Sequence, residues 1–388
     1  SIAWLDKVAD LKPLGEEALE SEISSLLARH EDAVEAMRAV RYLRRRETLR
    51  TAMGWTLGIV NIEGTCAGLA AIDECTIDAA LRIALRELQS TAEESEAGET
   101  AGEQLLTRIA IIGMGRLGGA ENGFGSDADV MFVHEPLEGA DEDAAQEQAA
   151  RIVNRTLALL KQPVKPPIRA ERPLEVDADL RPEGKRGAIV RSLDSYRSYY
   201  TKWAQSWEFQ ALLKARPMAG DMNLGQQFID LTAPLVWQAS ARENFVSDAQ
   251  AMRRRVEKES AKTRDDRRIK LGPGGLRDVE FTVQLLQLVH GRSDTQLRSA
   301  ATLEALNELI DGGYIGRSAG VAMSRCYRFE RLIEHRAQLS RLRRTHDLPK
   351  KEANLRRIAR SIGTDLEGKN LTNATELEKA FNRTRRQV

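Results

Sequence analysis

Two carboxylates, Asp127 and Asp129, stand two positions apart at the start of an apolar run, Val130-Met131-Phe132-Val133. In an extended strand, side chains at i and i+2 share a face. Carboxylates held together on one face repel unless a cation lies between them. All-oxygen donors at this spacing suit Mg²⁺ bound to the phosphates of a nucleotide. A third carboxylate on a neighbouring strand would complete a two-metal site of the kind that clamps an in-line phosphoryl displacement. The segment Leu174 to Leu180 offers one, because Leu174, Val176, Ala178 and Leu180 alternate with Glu175, Asp177 and Asp179. That period of two predicts a strand with Asp177 or Asp179 on its polar face. Ahead of the pair runs Gly113-Met114-Gly115-Arg116-Leu117-Gly118-Gly119, and Gly125-Ser126 leads directly into Asp127. Such a loop brings the backbone N–H groups of Gly118 and Gly119 toward phosphate, Ser126 adds a hydroxyl and Arg116 a guanidinium.

The same glycines spell G-x-G-x-x-G, the dinucleotide fingerprint, and Glu135 could stand for its ribose-binding acid. An NAD-binding oxidoreductase would therefore be the competing enzyme. That fold needs a full helix after the third glycine. Here about ten residues lead from Gly118 to the next strand, and Gly119, Gly123 and Gly125 are among them, each costing a helix about 1 kcal/mol relative to alanine. One helical turn fits there; a packed crossover helix does not.

The surrounding elements read as α+β and mostly helical. Residues 16–90 carry helical periodicity, with Leu19, Ile23, Leu26 and Leu27 opening it and a basic stretch from Arg38 to Arg50. Thr91 to Glu103 is acidic and small and reads as a linker. Arg108 to Ile112 and Val130 to Val133 are expected strands, Ala144 to Leu160 a helix, Gln162 to Pro173 a proline-rich extended connection, and Gly187 to Arg191 a further strand. From Asp194 onward helices dominate. Gly272-Pro273-Gly274-Gly275 breaks the chain before a helix from about Asp278 to Val289. A long helix follows from about Val321 to Leu342, with Cys326, Phe329, Ile333 and Ala337 on one stripe. The expected divisions are an N-terminal helical region (1–91), a catalytic domain with a mixed sheet (92–222) and a C-terminal helical bundle (223–388).

Composition narrows the classes. The 388 residues carry 58 Lys+Arg against 58 Asp+Glu, so bulk electrostatic coating of nucleic acid is not expected. Three cysteines, Cys66, Cys75 and Cys326, exclude a disulfide scaffold and a zinc ribbon and fit a reducing, cytoplasmic setting. No apolar run reaches the roughly 18 residues that span a bilayer. Asn382 to Val388 read as a helix cut short, which suggests a piece of a longer protein.

At the glycine loop and Ser126 to Asp129 the chain resembles the DNA-polymerase-β superfamily of nucleotidyltransferases. More closely, it resembles the glutamine synthetase adenylyltransferase (glutamate-ammonia-ligase adenylyltransferase) family. Gly113 to Gly119, Glu121 and Ser126 to Asp129 match that family's Gly-x-Gly-Lys/Arg-x-Gly-Gly, Glu, Ser-Asp-x-Asp pattern. Val176 to Gly184, Trp207 to Arg216, Gly274 to Phe281, Glu334-His335-Arg336 and Leu348-Pro349 match later motifs. The resemblance places the third carboxylate at Asp177. It implies ATP as substrate, two Mg²⁺ ions, glutamine synthetase as the protein modified and PII-type signal proteins as regulators. Family members carry two such halves, one adenylylating a tyrosine and one removing the AMP by phosphorolysis. Gly125 before Ser126, with Asp129 to Phe132 after it, resembles the adenylylating half; Gly272 to Phe281 and Arg343 to His346 resemble the other.

Other residues have plainer expectations. Trp203 and Trp207 are expected in the core, and His335 as a packing or hydrogen-bonded histidine. Arg181, Lys185 and Arg186 are expected as solvated bases, and Asp278 and Glu280 as charges at a helix start. A helical regulatory fragment with a degenerate nucleotide site is the non-enzymatic alternative, and the intact Asp127, Asp129 and Asp177 argue against it.

Overall fold

A computed structural model describes residues 8–90, 104–168, 171–241, 245, 247, 251, 254, 267–340 and 344–388. The expected linker at 91–103 lies outside the described residues, as does most of 252–268, a stretch rich in Lys and Arg. The chain divides into two compact units, one within 1–122, 127–204 and 214–233, the other within 123–126, 205–213 and 234–388. No described helix is long and apolar enough to cross a membrane.

In the first unit the apolar periodicity of residues 16–90 produces three helices, α1 (Glu16–Arg29), α2 (Ala33–Thr56) and α3 (Ile62–Ser90). Asp32 caps α2 by accepting from the Glu35 amide at 2.8 Å. Leu19, Ile23 and Leu27 form the buried stripe of α1. The basic stretch of α2 is largely consumed by partners within the unit. Arg41 pairs with Glu171 and donates to the Gln162 carbonyl at 2.6 Å, and Arg44 reaches Asp73 at 2.7 Å.

The sheet comprises β1 (Thr107–Gly113), β2 (Ala128–Pro136), β3 (Val176–Asp177), β4 (Val190–Ser192) and β5 (Arg216–Gly220). Its order is β3-β2-β1-β5, with β4 also on β2. β1 runs antiparallel to β2 and β5, whereas β3 and β4 run parallel to β2. Between β1 and β2 there is only a one-turn helix, α4 (Gly115–Gly118). An antiparallel β1–β2 pair removes the dinucleotide reading, since a Rossmann unit joins parallel strands through a packed helix. Glu135 instead pairs with Arg108, its register partner across the sheet.

Helix α5 (Glu142–Lys161) carries the chain from β2 to the parallel β3. Alternate residues of the central strands, Ile109, Ile111, Val130 and Phe132, pack in one cluster with Ile77 and Leu81 of α3 and Ala149, Ile152 and Val153 of α5. The opposite alternation meets α6 (Leu193–Lys202): the Tyr200 hydroxyl lies 3.8 Å from the Met131 sulfur, and the Tyr196 hydroxyl donates to the Phe132 carbonyl at 3.1 Å. Burial holds the Tyr196 phenol well above its ordinary pKa, so it remains a donor.

Two expectations need correction. The alternation over Leu174 to Leu180 yields only two strand residues. The Asp179 amide donates to Asp177 Oδ1 at 2.8 Å, and this turn ends the strand early. Conversely, β5 falls where helix was expected. Pro217 sits on this strand at the sheet edge, where a missing N–H is tolerated, and a register shift at Ile111/Ile112 accommodates it.

The second unit is helical: α7 (Ser206–Leu212), α9 (Leu276–His290), α10 (Thr302–Asp311), α11 (Arg317–Leu339), α12 (Glu352–Ile362) and α13 (Ala374–Gln387) belong to it, whereas α8 (Met222–Gln238), which follows β5, is divided between the units at Ala233/Pro234. Leu276, Val283, Leu306, Phe329, Ile333 and Phe381 anchor its core. The stripe Cys326, Phe329, Ile333 and Ala337 is buried as its spacing requires. Asp278 accepts from the Gly274 amide at 2.7 Å, placing a negative charge at the start of α9.

Candidate active site

β1 ends at Gly113, and the chain turns through Met114 into α4. The Met114 amide donates to the Asp129 carbonyl at 2.8 Å, which hooks the turn onto the start of β2. Gly115 has φ +51°, and a Cβ there would lie 2.2 Å from Asp129 Oδ2. Both backbone conformation and space therefore demand glycine beside this carboxylate. Gly118 is also closely packed, since a Cβ would lie 1.8 Å from the Lys214 carbonyl oxygen.

The amide of Gly118 donates to the Met114 carbonyl at 2.8 Å and that of Gly119 to the Gly115 carbonyl at 3.2 Å. Both donors are engaged inside the turn, which differs from their expected use toward phosphate. The guanidinium of Arg116 belongs to a side chain only 8% exposed, so it too is part of the interior. Ser126 accepts from the Gly123 amide at 2.8 Å, and its own amide donates back to the Gly123 carbonyl at 3.1 Å.

Parallel pairing of β2 with β3 puts Ala128 opposite Val176 and Asp129 opposite Asp177. The Ala128 amide donates to the Glu175 carbonyl at 2.9 Å, locking this register. Ala128 points into the core, so the residues on either side of it, Asp127 and Asp129, take the other face. Carboxylate oxygens of Asp127, Asp129 and Asp177 come within 4.8 Å of one another, and all three residues are half-buried. Among the described residues no other group of three or more His, Cys, Asp or Glu comes together this closely. Asp179, the alternative third acid, lies outside the cluster, near Arg181 at 3.6 Å and Lys185 at 3.4 Å. A partly exposed set of oxygen donors alone fits a hard divalent cation such as Mg²⁺.

A polar frame supports the turn. Arg216 Nε donates to the Gly118 carbonyl at 3.1 Å, and its guanidinium pairs with Glu74 of α3. Lys214 pairs with Glu121, both side chains buried. Asn122 donates to Asp73 at 2.9 Å, and Asp78 accepts from the Gly220 amide at 3.1 Å. Burial pushes the Glu74 carboxyl above its ordinary range, opposed by Arg216; Asp78 is raised by burial as well, opposed by the Gly220 amide. These acids of α3 were not singled out in the sequence. Their signal was three carboxylates, Asp73, Glu74 and Asp78, within a stretch of the helix from Gly64 to Leu81 that carries no other charge.

Several other expectations are resolved. Arg181 is not a solvated base: it is buried, with its Nε on the Gly187 carbonyl at 3.1 Å and an Nη on the Ala178 carbonyl at 2.7 Å. Trp203 and Trp207 are 69% and 38% exposed, not core. Leu193, Tyr196 and Tyr200 already fill the buried side of α6, and Phe209 and Leu212 that of α7, so both indoles fall off those faces. His335 is buried and packs edge-on against Phe124, with ring centroids 5.5 Å apart.

A small mixed sheet that gathers three carboxylates beside a glycine turn, with helices around it, is the architecture of a nucleotidyltransferase. A family model described as Glutamate-ammonia ligase adenylyltransferase matches residues 2–230, and one described as GlnD PII-uridylyltransferase matches residues 250–388. The chain belongs to the glutamate-ammonia ligase adenylyltransferase family. It is 48% identical over 326 residues to the bifunctional glutamine synthetase adenylyltransferase/adenylyl-removing enzyme of Streptomyces avermitilis, a match covering 84% of this chain and 31% of that protein. The protein of the same name from Corynebacterium glutamicum is 51% identical over 257 residues, covering 66% of this chain and 23% of that protein. The chain thus spans under a third of the length of these relatives.

Proposed function

We propose that this chain is the adenylylating half of such an enzyme and transfers AMP from ATP to a tyrosine of glutamine synthetase. The convergence of Asp127, Asp129 and Asp177 within 4.8 Å is the observation that carries the reading. Asp127 and Asp129 would hold two Mg²⁺ ions, and Asp177 would join them at the ion nearer the nucleophile. When bound, Mg²⁺ supplies neutralisation of triphosphate charge and polarisation of the α-phosphate.

In the transfer, the tyrosine oxygen forms a bond to the α-phosphorus as the bond to the bridging oxygen of pyrophosphate breaks in line. A tyrosine hydroxyl has an ordinary pKa near 10 and must lose its proton during attack. Asp177 is the proposed acceptor; one of its oxygens is already oriented by the Asp179 amide. Gly118 and Gly119 shape the close-packed turn that holds Gly115 beside Asp129, their amides being bonded within it. Ser126, whose oxygen accepts from Gly123, keeps its O–H to donate to a phosphate oxygen. Arg116, buried within the turn, contributes positive charge.

Gly125 before Ser126 and the Asp129 to Phe132 sequence favour adenylylation over phosphorolytic removal of AMP. The match of residues 250–388 supports a PII-type protein as regulator. The chain is incubated with unmodified glutamine synthetase and Mg-ATP, and separately with the adenylylated form and phosphate. AMP incorporation in the first arm is expected. ADP release in the second arm alone would reverse the direction, and no reaction in either arm would defeat the proposal.

A further inference from the structure

β5 lies beside β1 in the sheet, and its first residue, Arg216, stands opposite Gly113, the last residue of β1. This register brings the Arg216 side chain to the glycine turn. Its Nε donates to the Gly118 carbonyl at 3.1 Å, and an Nη donates to the Leu117 carbonyl at 3.3 Å. The same Nη pairs with Glu74 of α3. The closing carbonyls of a helix have no partner further along it. A planar guanidinium, with donors in a fixed fork, can serve two of them and a carboxylate together.

The residues before Arg216 bear on the same turn. A Cβ on Gly118 would lie 1.8 Å from the Lys214 carbonyl oxygen, and the Lys214 ammonium pairs with Glu121 just beyond the turn. On the α3 side, Asp73, next to Glu74, is bonded to Arg44 at 2.7 Å and to Asn122 at 2.9 Å. The opposite side of the turn meets the carboxylates: the Met114 amide holds the Asp129 carbonyl, and Gly115 leaves no room for a Cβ beside Asp129 Oδ2. A shift of the turn therefore moves the wall against which that carboxylate rests. Every residue in this series of contacts belongs to the first unit. Arg216 ends the sequence motif Trp207 to Arg216 and has no part in the proposed chemistry.

We propose that Arg216, oriented by Glu74, is a positioning residue: it holds the glycine turn from the side of α3 and so fixes Asp129 for metal–nucleotide binding. This rests on the carboxylate reading of the site. Geometry at a reacting centre tolerates little displacement, so the loss is read first in affinity for the metal.

The test is titration of the whole chain with Mn²⁺ in the presence of α,β-methylene ATP, with free Mn²⁺ read by electron paramagnetic resonance and urea unfolding measured on the same preparations. Arg216→Met is expected to weaken Mn²⁺ binding five- to twentyfold, and Glu74→Leu two- to fivefold. The double variant is expected to bind like Arg216→Met alone, because Glu74 acts through Arg216. Arg155→Met is the control. It breaks the ion pair with Glu87 of α3, which involves no residue of the turn, and Arg155 and Arg216 are 36% and 38% exposed. Its affinity is expected to stay within a factor of two of wild type. Unchanged affinity in Arg216→Met overturns the inference, as does an equal loss in Arg155→Met, which would indicate general loosening. Losses that multiply in the double variant overturn the link through Glu74. Should Arg216→Met fail to fold, the double variant, which removes the carboxylate along with its cation, decides by the same five- to twentyfold criterion. Binding abolished by Asp127→Asn, with Arg216→Met equal to wild type, overturns this inference and leaves the carboxylate site standing. Binding that survives Asp127→Asn, or no wild-type binding at all, overturns the carboxylate reading and this inference with it.

Discussion

Replacing Gly115 by alanine separates the chemistry of the carboxylates from the stability of the fold. The added Cβ would lie 2.2 Å from Asp129 Oδ2, and ordinary contact begins at 3.4 Å. The carboxylate must therefore withdraw by about 1.2 Å, and misplacement of about 1 Å at a reacting centre costs on the order of 100-fold in rate. The backbone at φ +51° adds about 1–2 kcal/mol of strain for a residue with a Cβ, offset by about 0.4–1 kcal/mol from the stiffer unfolded chain. The net loss of about 1 kcal/mol lowers the melting temperature by about 2–4 °C for a unit of this size. The assay pairs Mg²⁺-dependent transfer of labelled AMP to glutamine synthetase with thermal unfolding of the same preparation. Turnover of Gly115→Ala equal to wild type would refute the reasoning, because Asp129 would then not need its present position. Loss of activity accompanied by a fall of more than 10 °C would refute it too, by assigning the defect to unfolding, as roughly 3 kcal/mol or more would be missing.

Asp127→Asn and Asp129→Asn are each expected to abolish AMP transfer while circular dichroism stays unchanged; full Mg²⁺-dependent activity in either ends the assignment. Lys214→Met removes the cation paired with the buried Glu121 carboxylate and is expected to cost about 3–5 kcal/mol in urea unfolding, most of it recovered in the double variant with Glu121→Leu. Glu330 is fully buried on α11, and neither of its oxygens has a hydrogen-bond partner among the described residues. Burial raises its carboxyl well above the ordinary range, opposed by Arg385 and reinforced by Asp278, Glu334 and Glu280. With the folded value above the unfolded one, about 4.3, its contribution is full below that value and is lost as pH rises toward the folded one. Glu330→Gln should therefore gain stability over wild type as pH rises from about 4.3 toward the folded value; a difference in urea midpoints that does not grow on leaving that lower value would contradict this.

The paired aspartates were legible because their two spacing rules, i and i+2 on a strand and glycine before it, are local. Asp177 was narrowed only to a choice with Asp179 by alternation, since the turn that ends β3 depends on a side-chain bond that period alone does not reveal. β5 went unread because Arg216 to Gly220 has little strand character of its own and acquires it from pairing with β1. The exposed Trp203 and Trp207 show the limit of hydrophobicity as a guide when other residues have already filled the buried face. The role of the acids of α3 is not legible locally because their partners, Arg44, Asn122, Arg216 and the Gly220 amide, are mostly far along the chain.

The third carboxylate reaches the other two from a strand of only two residues, after the chain has crossed over through α5. Neighbours in sequence can meet early on a folding chain, whereas this contact must wait for a long segment to close. A break or insertion anywhere in that crossover would preserve the glycine turn and the Asp127–Asp129 couple but leave a bidentate remnant. Completeness of the triad is in this sense a report on whether the parallel edge of the sheet has been assembled.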